Sequence, residues 1–337
     1  MNPIKIKLFL IALLLGLNLQ AQVSDSIKKK AQAAITDRFP VTRTFDVQYQ
    51  QYLPTDYESE LYDRSFRSGE MSNHYRLALA ANIPVLKRPK WQLTASANYR
   101  YEAFELRDTN TDALYSALPA GQDKVDFHYL STAMSFTYYS TLFRKLIIYN
   151  ASVIVDGSEE QAERVKGFAA ATWIVKRNQQ TMIGIGLLAF IDPTAQLPVL
   201  PTLAVEHHFK NSPWFVDVIL PQRAMLKRPM FANGRLSIGT EINADNFYAY
   251  SNSPFFADTY DYRQFELKSG FTYEHHLSHQ FIASLRAGIS NVIASNIYEL
   301  GQCGNNETLS VTPDPTGYFT LGFSYNPHFK SFKKSTK

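Results

Sequence analysis

The chain has 337 residues, 19% of them charged, a formal net charge of +4 and a single cysteine. A balance this close to neutral carries no electrostatic footprint for nucleic acid, whose binding needs clustered phosphate-neutralising cations. One cysteine forms no internal disulfide, and beyond the first residues no run of ~20 apolar residues exists to make a helical membrane span.

Residues 1–21 read as a secretory signal peptide. Lys5 and Lys7 make a basic start, Leu8 to Leu17 is apolar but for Gly16, and Asn18-Leu19-Gln20-Ala21 is a polar, small-ended junction. Cys303 lies far from that junction, which argues against a lipidated N-terminus. Residues 22–40 follow as a periplasmic N-terminal segment, where Ile27, Ala31, Ala34 and Ile35 share one face of a short helix.

From residue 41 onward the sequence alternates. Phe45, Val47 and Tyr49 interleave with Asp46, Gln48 and Gln50. The clearest strand runs from Trp91 to Phe104, with Trp91, Leu93, Ala95, Ala97, Tyr99 and Tyr101 on one face and Gln92, Thr94, Ser96, Asn98, Arg100 and Glu102 on the other. That exceeds the ~5–6 residues of a typical globular strand and suits a tilted strand crossing an apolar band of ~25 Å. The same rhythm returns around Leu236–Asn243, Gln264–Tyr273, Phe281–Ser290 and Phe319–Asn326.

Two kinds of connection separate these segments. Short ones fall at Lys87–Lys90, Phe143–Lys145, Arg177–Gln180, Lys210–Pro213 and Ser278–Gln280. Long polar ones are expected at about 53–72, 105–124, 251–262 and 300–316, with a medium one near 157–166. Alternation of tight turns with longer loops is the habit of outer-membrane barrels. The expected fold is therefore all-β: a transmembrane up-and-down antiparallel β-barrel over residues 41–329, with a basic tail at 330–337. Segment counting gives about fourteen strands, or ~12 if the proline-rich stretch from Val199 to Asn233 does not supply three. The mean hydropathy of −0.22 fits, because only alternate residues face lipid. So does the aromatic content of 14%, which interfacial girdles would use.

The layout resembles the uncharacterised outer-membrane β-barrel proteins of Bacteroidetes-type bacteria. The carrying features are the Ala21-Gln22 junction, the stretch Leu197-Pro198-Val199-Leu200-Pro201, the segment Val218-Ile219-Leu220-Pro221-Gln222-Arg223 and the last strand, Gly317 to Phe329. The tail after Phe329 departs from barrels that end on an aromatic residue. The resemblance implies the cell outer membrane as location, its lipids and lipopolysaccharide as surroundings, and the barrel-assembly machinery as a partner during insertion. It implies no settled activity.

No catalytic constellation stands out, so no enzyme and no cofactor is expected. His207 and His208, like His275 and His276, are adjacent on strands and point to opposite faces, so each pair offers one side chain to any common site. A metal site needs three or four converging ligands, and these histidines read as interfacial residues near the periplasmic rim. His128 with Ser131 or Ser135 is the one combination a lipid- or lipopolysaccharide-acting enzyme would draw on. Gly184 and Gly186 lack the third glycine of a nucleotide loop and sit in an apolar strand, where close packing explains them.

A channel needs only a wet, charged lumen. Asp46, Gln48, Gln92, Asn98, Arg100, Glu102, Glu241, Glu266, Lys268 and Arg286 are the expected lumen-lining residues. From Leu146 to Val205 the segments are apolar on both faces, so one wall of the interior is expected to be apolar. The sequence thus leads to a non-enzymatic channel or transport barrel for a small solute. Binding of a hydrophobic ligand, enzymatic work on lipid, and a structural or adhesive role stand as alternatives.

Overall fold

A computed structural model describes residues 42–111, 124–192, 198–251, 257–302 and 307–327. The signal, the N-terminal segment, Cys303 and the basic tail lie outside these residues. The described residues contain strands and no helix long and apolar enough to cross a membrane, a finding that says nothing about crossing by strands.

The strands are β1 (Phe45–Tyr52), β2 (Thr55–Leu61), β3 (Arg64–Lys87), β4 (Trp91–Thr111), β5 (Lys124–Leu142), β6 (Lys145–Gly157), β7 (Ala162–Arg177) and β8 (Thr181–Ile191). They continue as β9 (Val199–His208), β10 (Phe215–Leu220), β11 (Arg223–Met230), β12 (Gly234–Tyr250), β13 (Thr259–His276), β14 (Phe281–Glu299), β15 (Leu309–Pro313) and β16 (Thr316–Tyr325). All pairings are antiparallel and β3 to β14 follow one another around a single sheet. The ring closes because β1 pairs with both β3 and β16, while β2 pairs with β3 and β15, and β14 pairs with β15 and β16. β1 with β2, and β15 with β16, are therefore each one interrupted stave, and the barrel has 14 staves. The proline-rich stretch does supply three strands, β9, β10 and β11.

Alternation builds the two faces. Phe45, Val47 and Tyr49 of β1 and Phe319, Leu321 and Phe323 of β16 are exposed on the outside at every second position, and Leu285, Ile289 and Ile293 of β14 at every fourth. Polar partners of the same strands, such as Gln50, Ser290, Thr320 and Ser324, are buried inside. At the end carrying the short turns, aromatic rings collect. Phe281 stacks on Tyr325 and Phe323 at 4.9 and 5.5 Å, and Arg228 lies over Trp214 at 5.2 Å. Such a girdle marks a membrane interface.

The loop expectations need correction. The segment 53–72 is not a long loop: it is β2, a two-residue turn and the start of β3. Tyr62 and Asp63 both adopt positive φ, 50° and 59°, as do Phe143 and Arg144, at 50° and 62°. This is the handedness that a two-residue hairpin demands. Likewise β4 runs on to Thr111, β7 begins at Ala162, β13 at Thr259, and β15 fills 309–313 of the predicted 300–316 loop. The physical reason is height. These ladders project beyond the apolar band, where neither face need be apolar, so alternation fades while backbone pairing continues.

Candidate functional site

The barrel is not equally tall all round. β3, β4 and β5 have 24, 21 and 19 residues, whereas β8, β9, β10 and β11 have 11, 10, 6 and 8. Register shows what the tall strands do above the short ones. β5 pairs with β6 only from Leu130 onward, and β12 pairs with β11 only as far as Glu241. The freed upper ends of β5 and β12, which stand half a ring apart, lean together until their Cα atoms lie within 8 Å. Phe127 of β5 meets Phe247 of β12 at 5.6 Å and Tyr262 of β13 at 5.8 Å. Arg100 donates to the backbone oxygen of Asn246 at 2.8 Å, and its guanidinium sits 4.4 Å from the centre of the Phe247 ring. Away from the short turns, the barrel thus narrows into a tube of eight staves: β12, β13, β14, β15/β16, β1/β2, β3, β4 and β5.

Eight strands leave an interior just wide enough for side chains to fill, and this tube is filled. Glu102, 0% exposed, accepts from Arg76 Nε at 2.8 Å and Nη2 at 3.0 Å, and lies 2.6 Å from His74 Nε2. Arg76 also reaches across the lumen to Asp245 at 2.8 Å, and Arg100 reaches the same carboxylate at 2.6 Å. Lys268 pairs with Glu266 at 2.9 Å and donates to Gln50 at 3.1 Å. Tyr52 and Ser290 donate to Glu266. The His74 ring is held between Tyr52, 3.9 Å away, and Phe104, 4.3 Å away. Three cations face three carboxylates here, so burial is tolerable because every charge has an opposite partner.

The strands left out of the tube, β6 to β11, wall a trough beside it. At its upper edge the Lys166 ammonium lies 2.6 Å from Asp156, which Tyr129 and Tyr248 also reach, at 2.9 and 3.1 Å. Arg164 binds Asp261 across the ring. These cross-lumen contacts fix which face is inward. On the same face, register aligns Phe168, Ala170 and Thr172 of β7 with Phe190, Leu188 and Gly186 of β8, and the last two with Leu200 and Thr202 of β9. A Cβ on Gly186 would lie 2.5 Å from the Ala171 oxygen and 2.7 Å from Thr202 Oγ1, so this glycine permits close strand approach. Along this stretch of β7 to β9 the trough is lined by apolar and small residues, in contrast to the tube.

Near the short-turn end a cavity of about 150 Å³ lies inside the ring. Its walls include Asp46, Gln48, Arg223, Lys227, Glu241 and Arg286. Arg223 and Lys227 share Asp217, the former at 3.0 Å, Arg286 pairs with Glu241, and Arg43 and Arg235 share Glu274.

The ten residues picked out from the sequence therefore separate. Arg100, Glu102, Glu266 and Lys268 belong to the filled tube. Asp46, Gln48, Glu241 and Arg286 line the cavity. Asn98 donates to Ser131 at 3.3 Å on the inward face, and half-buried Gln92 lies opposite Thr137 on that face. Arg76, His74 and Asp245 were not singled out, although Asp245 continues the alternation through Glu241 and Asn243. His128 does not join Ser131 or Ser135. It lies opposite Tyr101 on the outer face and is bonded to Tyr99 at 2.9 Å, while Ser131 lies opposite Asn98 and Ser135 bonds Ser152 inside. Odd spacings along a strand place side chains on opposite faces. His207 bonds Thr181 at 2.8 Å, His208 meets Glu206 at 2.9 Å, and His275 meets Tyr273 at 3.0 Å, all at the short-turn end. Among the described residues no group of three or more His, Cys, Asp or Glu is placed to hold a metal ion.

No family model and no curated protein matches the chain. Solved structures do align. An outer-membrane channel from Pseudomonas putida F1 is 10% identical with a TM-score of 0.38, over 85% of this chain and 96% of that one. The P. putida toluene transporter TodX is 9% identical with a TM-score of 0.35, over 87% and 92%. The outer-membrane protease OmpT from Escherichia coli is 9% identical with a TM-score of 0.25, over 86% and 99%. A transporter and a protease appear side by side at these low scores, so the alignments decide nothing about activity.

Proposed function

We propose that this barrel resides in the outer membrane and is a non-enzymatic transport protein whose solutes are small and weakly polar. The observation that supports this reading is the division of the lumen. The tube is packed with mutually neutralised charge and aromatic rings, whereas the inward face of the trough carries Phe168, Leu188, Phe190 and Leu200, none of them fully buried. Water and ions gain nothing from such a wall, but an apolar solute does, at about 25 cal/mol for each Å² of surface taken out of water.

The test uses the refolded protein in liposomes with the apolar fluorophore N-phenyl-1-naphthylamine. Saturable binding is expected, and Leu188→Arg is expected to abolish it. Planar bilayers supply the counter-measurement. A large ohmic conductance with no probe binding would replace this reading with that of an open aqueous pore.

A further inference from the structure

The hairpin of β10 and β11 is too short for the wall it belongs to. β10 has six residues, which climb about 15 Å at ~3.3 Å per residue and the usual tilt, against an apolar band of ~25 Å. The aromatic girdle at the short-turn end holds that end at one interface, so the hairpin tip, Pro221-Gln222, falls inside the band.

Above the tip the ladder is interrupted. The pairing of β11 with β12 stops at Arg223 and Glu241, with one more bond from Ile242 N–H to the Gln222 oxygen at 2.8 Å. β12 continues from Asn243 to Tyr250 with β13 alone as its backbone partner among the described residues. On the other flank, β9 pairs with β10 only as far as Leu203, leaving Val199 to Thr202 paired with β8 alone. Asn243 to Asn246 of β12 and Val199 to Thr202 of β9 frame the gap, which is about 10 Å tall along the barrel axis. Above it Tyr248 and Tyr250 of β12 are held by Asp156, Ser158 and Glu163.

An open sheet edge in hydrocarbon is costly unless its polar groups are satisfied by protein, and both flanks meet that condition in part. The free edge of β12 is turned inward, where Asn246 accepts from Arg100 and Phe247 is buried against Phe127. The flank of β9 carries Pro201, and the hairpin tip carries Pro221, neither of which has an N–H to satisfy. Val199, Leu203 and Leu220 face outward beside the gap and are exposed. Behind it lies the apolar trough.

We infer that this gap is a lateral portal through which the hydrocarbon part of a membrane-dissolved amphiphile passes between the bilayer and the trough. Its use in transport rests on the function proposed above, but its openness to lipid does not, and the test measures openness. In a Cys303→Ser background, bimane is attached to one of three introduced cysteines. Leu200→Cys faces inward behind the portal, Ile185→Cys faces outward to lipid, and Asn98→Cys faces inward behind an intact wall. The proteins are placed in vesicles of phosphatidylcholine brominated on its acyl chains, and folding is verified by heat-modifiable gel migration.

Quenching at Leu200 at least half as strong as at Ile185, with little at Asn98, is the expected result. Quenching at Leu200 as weak as at Asn98 overturns the portal. If Leu200→Cys does not fold, Leu188→Cys reports from the neighbouring strand on the same inward face, with the same two readings. Strong quenching together with no binding of N-phenyl-1-naphthylamine leaves the portal standing and removes the transport function proposed for it.

Discussion

The tube and the trough are built from the same antiparallel ladder yet solve burial in opposite ways. In the tube, long strands curl until eight of them enclose a space the width of side chains, and polar residues fill it with complementary charge. In the trough wall, β8 to β11 stop early, β9 and β11 carrying prolines, and the inner face of β7 to β9 is apolar and incompletely covered. Strand length is the variable that separates the two. It decides where a ladder ends, and a ladder that ends below its neighbours leaves space rather than core.

The largest test of this contrast removes a charge from the tube. Glu102→Ala leaves Arg76 and His74 facing each other without their shared carboxylate and is expected to cost about 3–5 kcal/mol. The midpoint of urea unfolding, followed by the loss of heat-modifiable migration, reads it. Thr202→Val in the trough is expected to shift that midpoint far less. Equal shifts would mean that the trough is as tightly packed as the tube. Next is Phe247→Ala at the seam. This ring is 0% exposed, and truncating a buried Phe costs about 3–5 kcal/mol. Where the protein still folds, an ionic current absent from the wild type is expected in planar bilayers, because Phe247 and Phe127 close the tube against the trough. A smaller effect is expected at Gly186→Ala. The new Cβ meets the Ala171 oxygen at 2.5 Å, so adjacent strands must separate, at about 1–3 kcal/mol, with weaker binding of an apolar probe.

How much of this was legible follows from the same physics. The barrel and its stave number were readable because outward residues must be apolar at every second position wherever strands meet lipid, as in Phe319, Leu321 and Phe323. The upper extensions of β3 and β4 were not, because Arg64 to Glu70 are mostly polar on both faces. What alternation made readable was one expected charged set, with Arg100 and Glu102 on the face of Asn98. Its division between tube and cavity was not readable, because that depends on β5 and β12 meeting across the ring, and no local pattern encodes a contact between residues 127 and 247. The prolines at 198, 201, 213, 221 and 229 obscured the strand count, yet they cluster in the shortest sector of the wall.

The smallest expected effect sits on the seam strand itself. His128 and Ser131 are three residues apart on β5, and the ladder puts them on opposite sides of the wall, one beside Tyr99 and lipid, the other beside Asn98 and the lumen. A hydroxyl and an imidazole separated by the barrel wall share no proton. His128→Ala is therefore expected to change stability by no more than about 0.5 kcal/mol, as for other substitutions that neither empty a core nor strand a charge. It should also leave hydrolysis of a fluorogenic phospholipid indistinguishable from that of the wild type and of Ser131→Ala. If both variants instead lowered a measurable hydrolysis together, the two faces of β5 would have to meet in one site. The division into a closed tube and a passive trough would then fail at the strand where the two join.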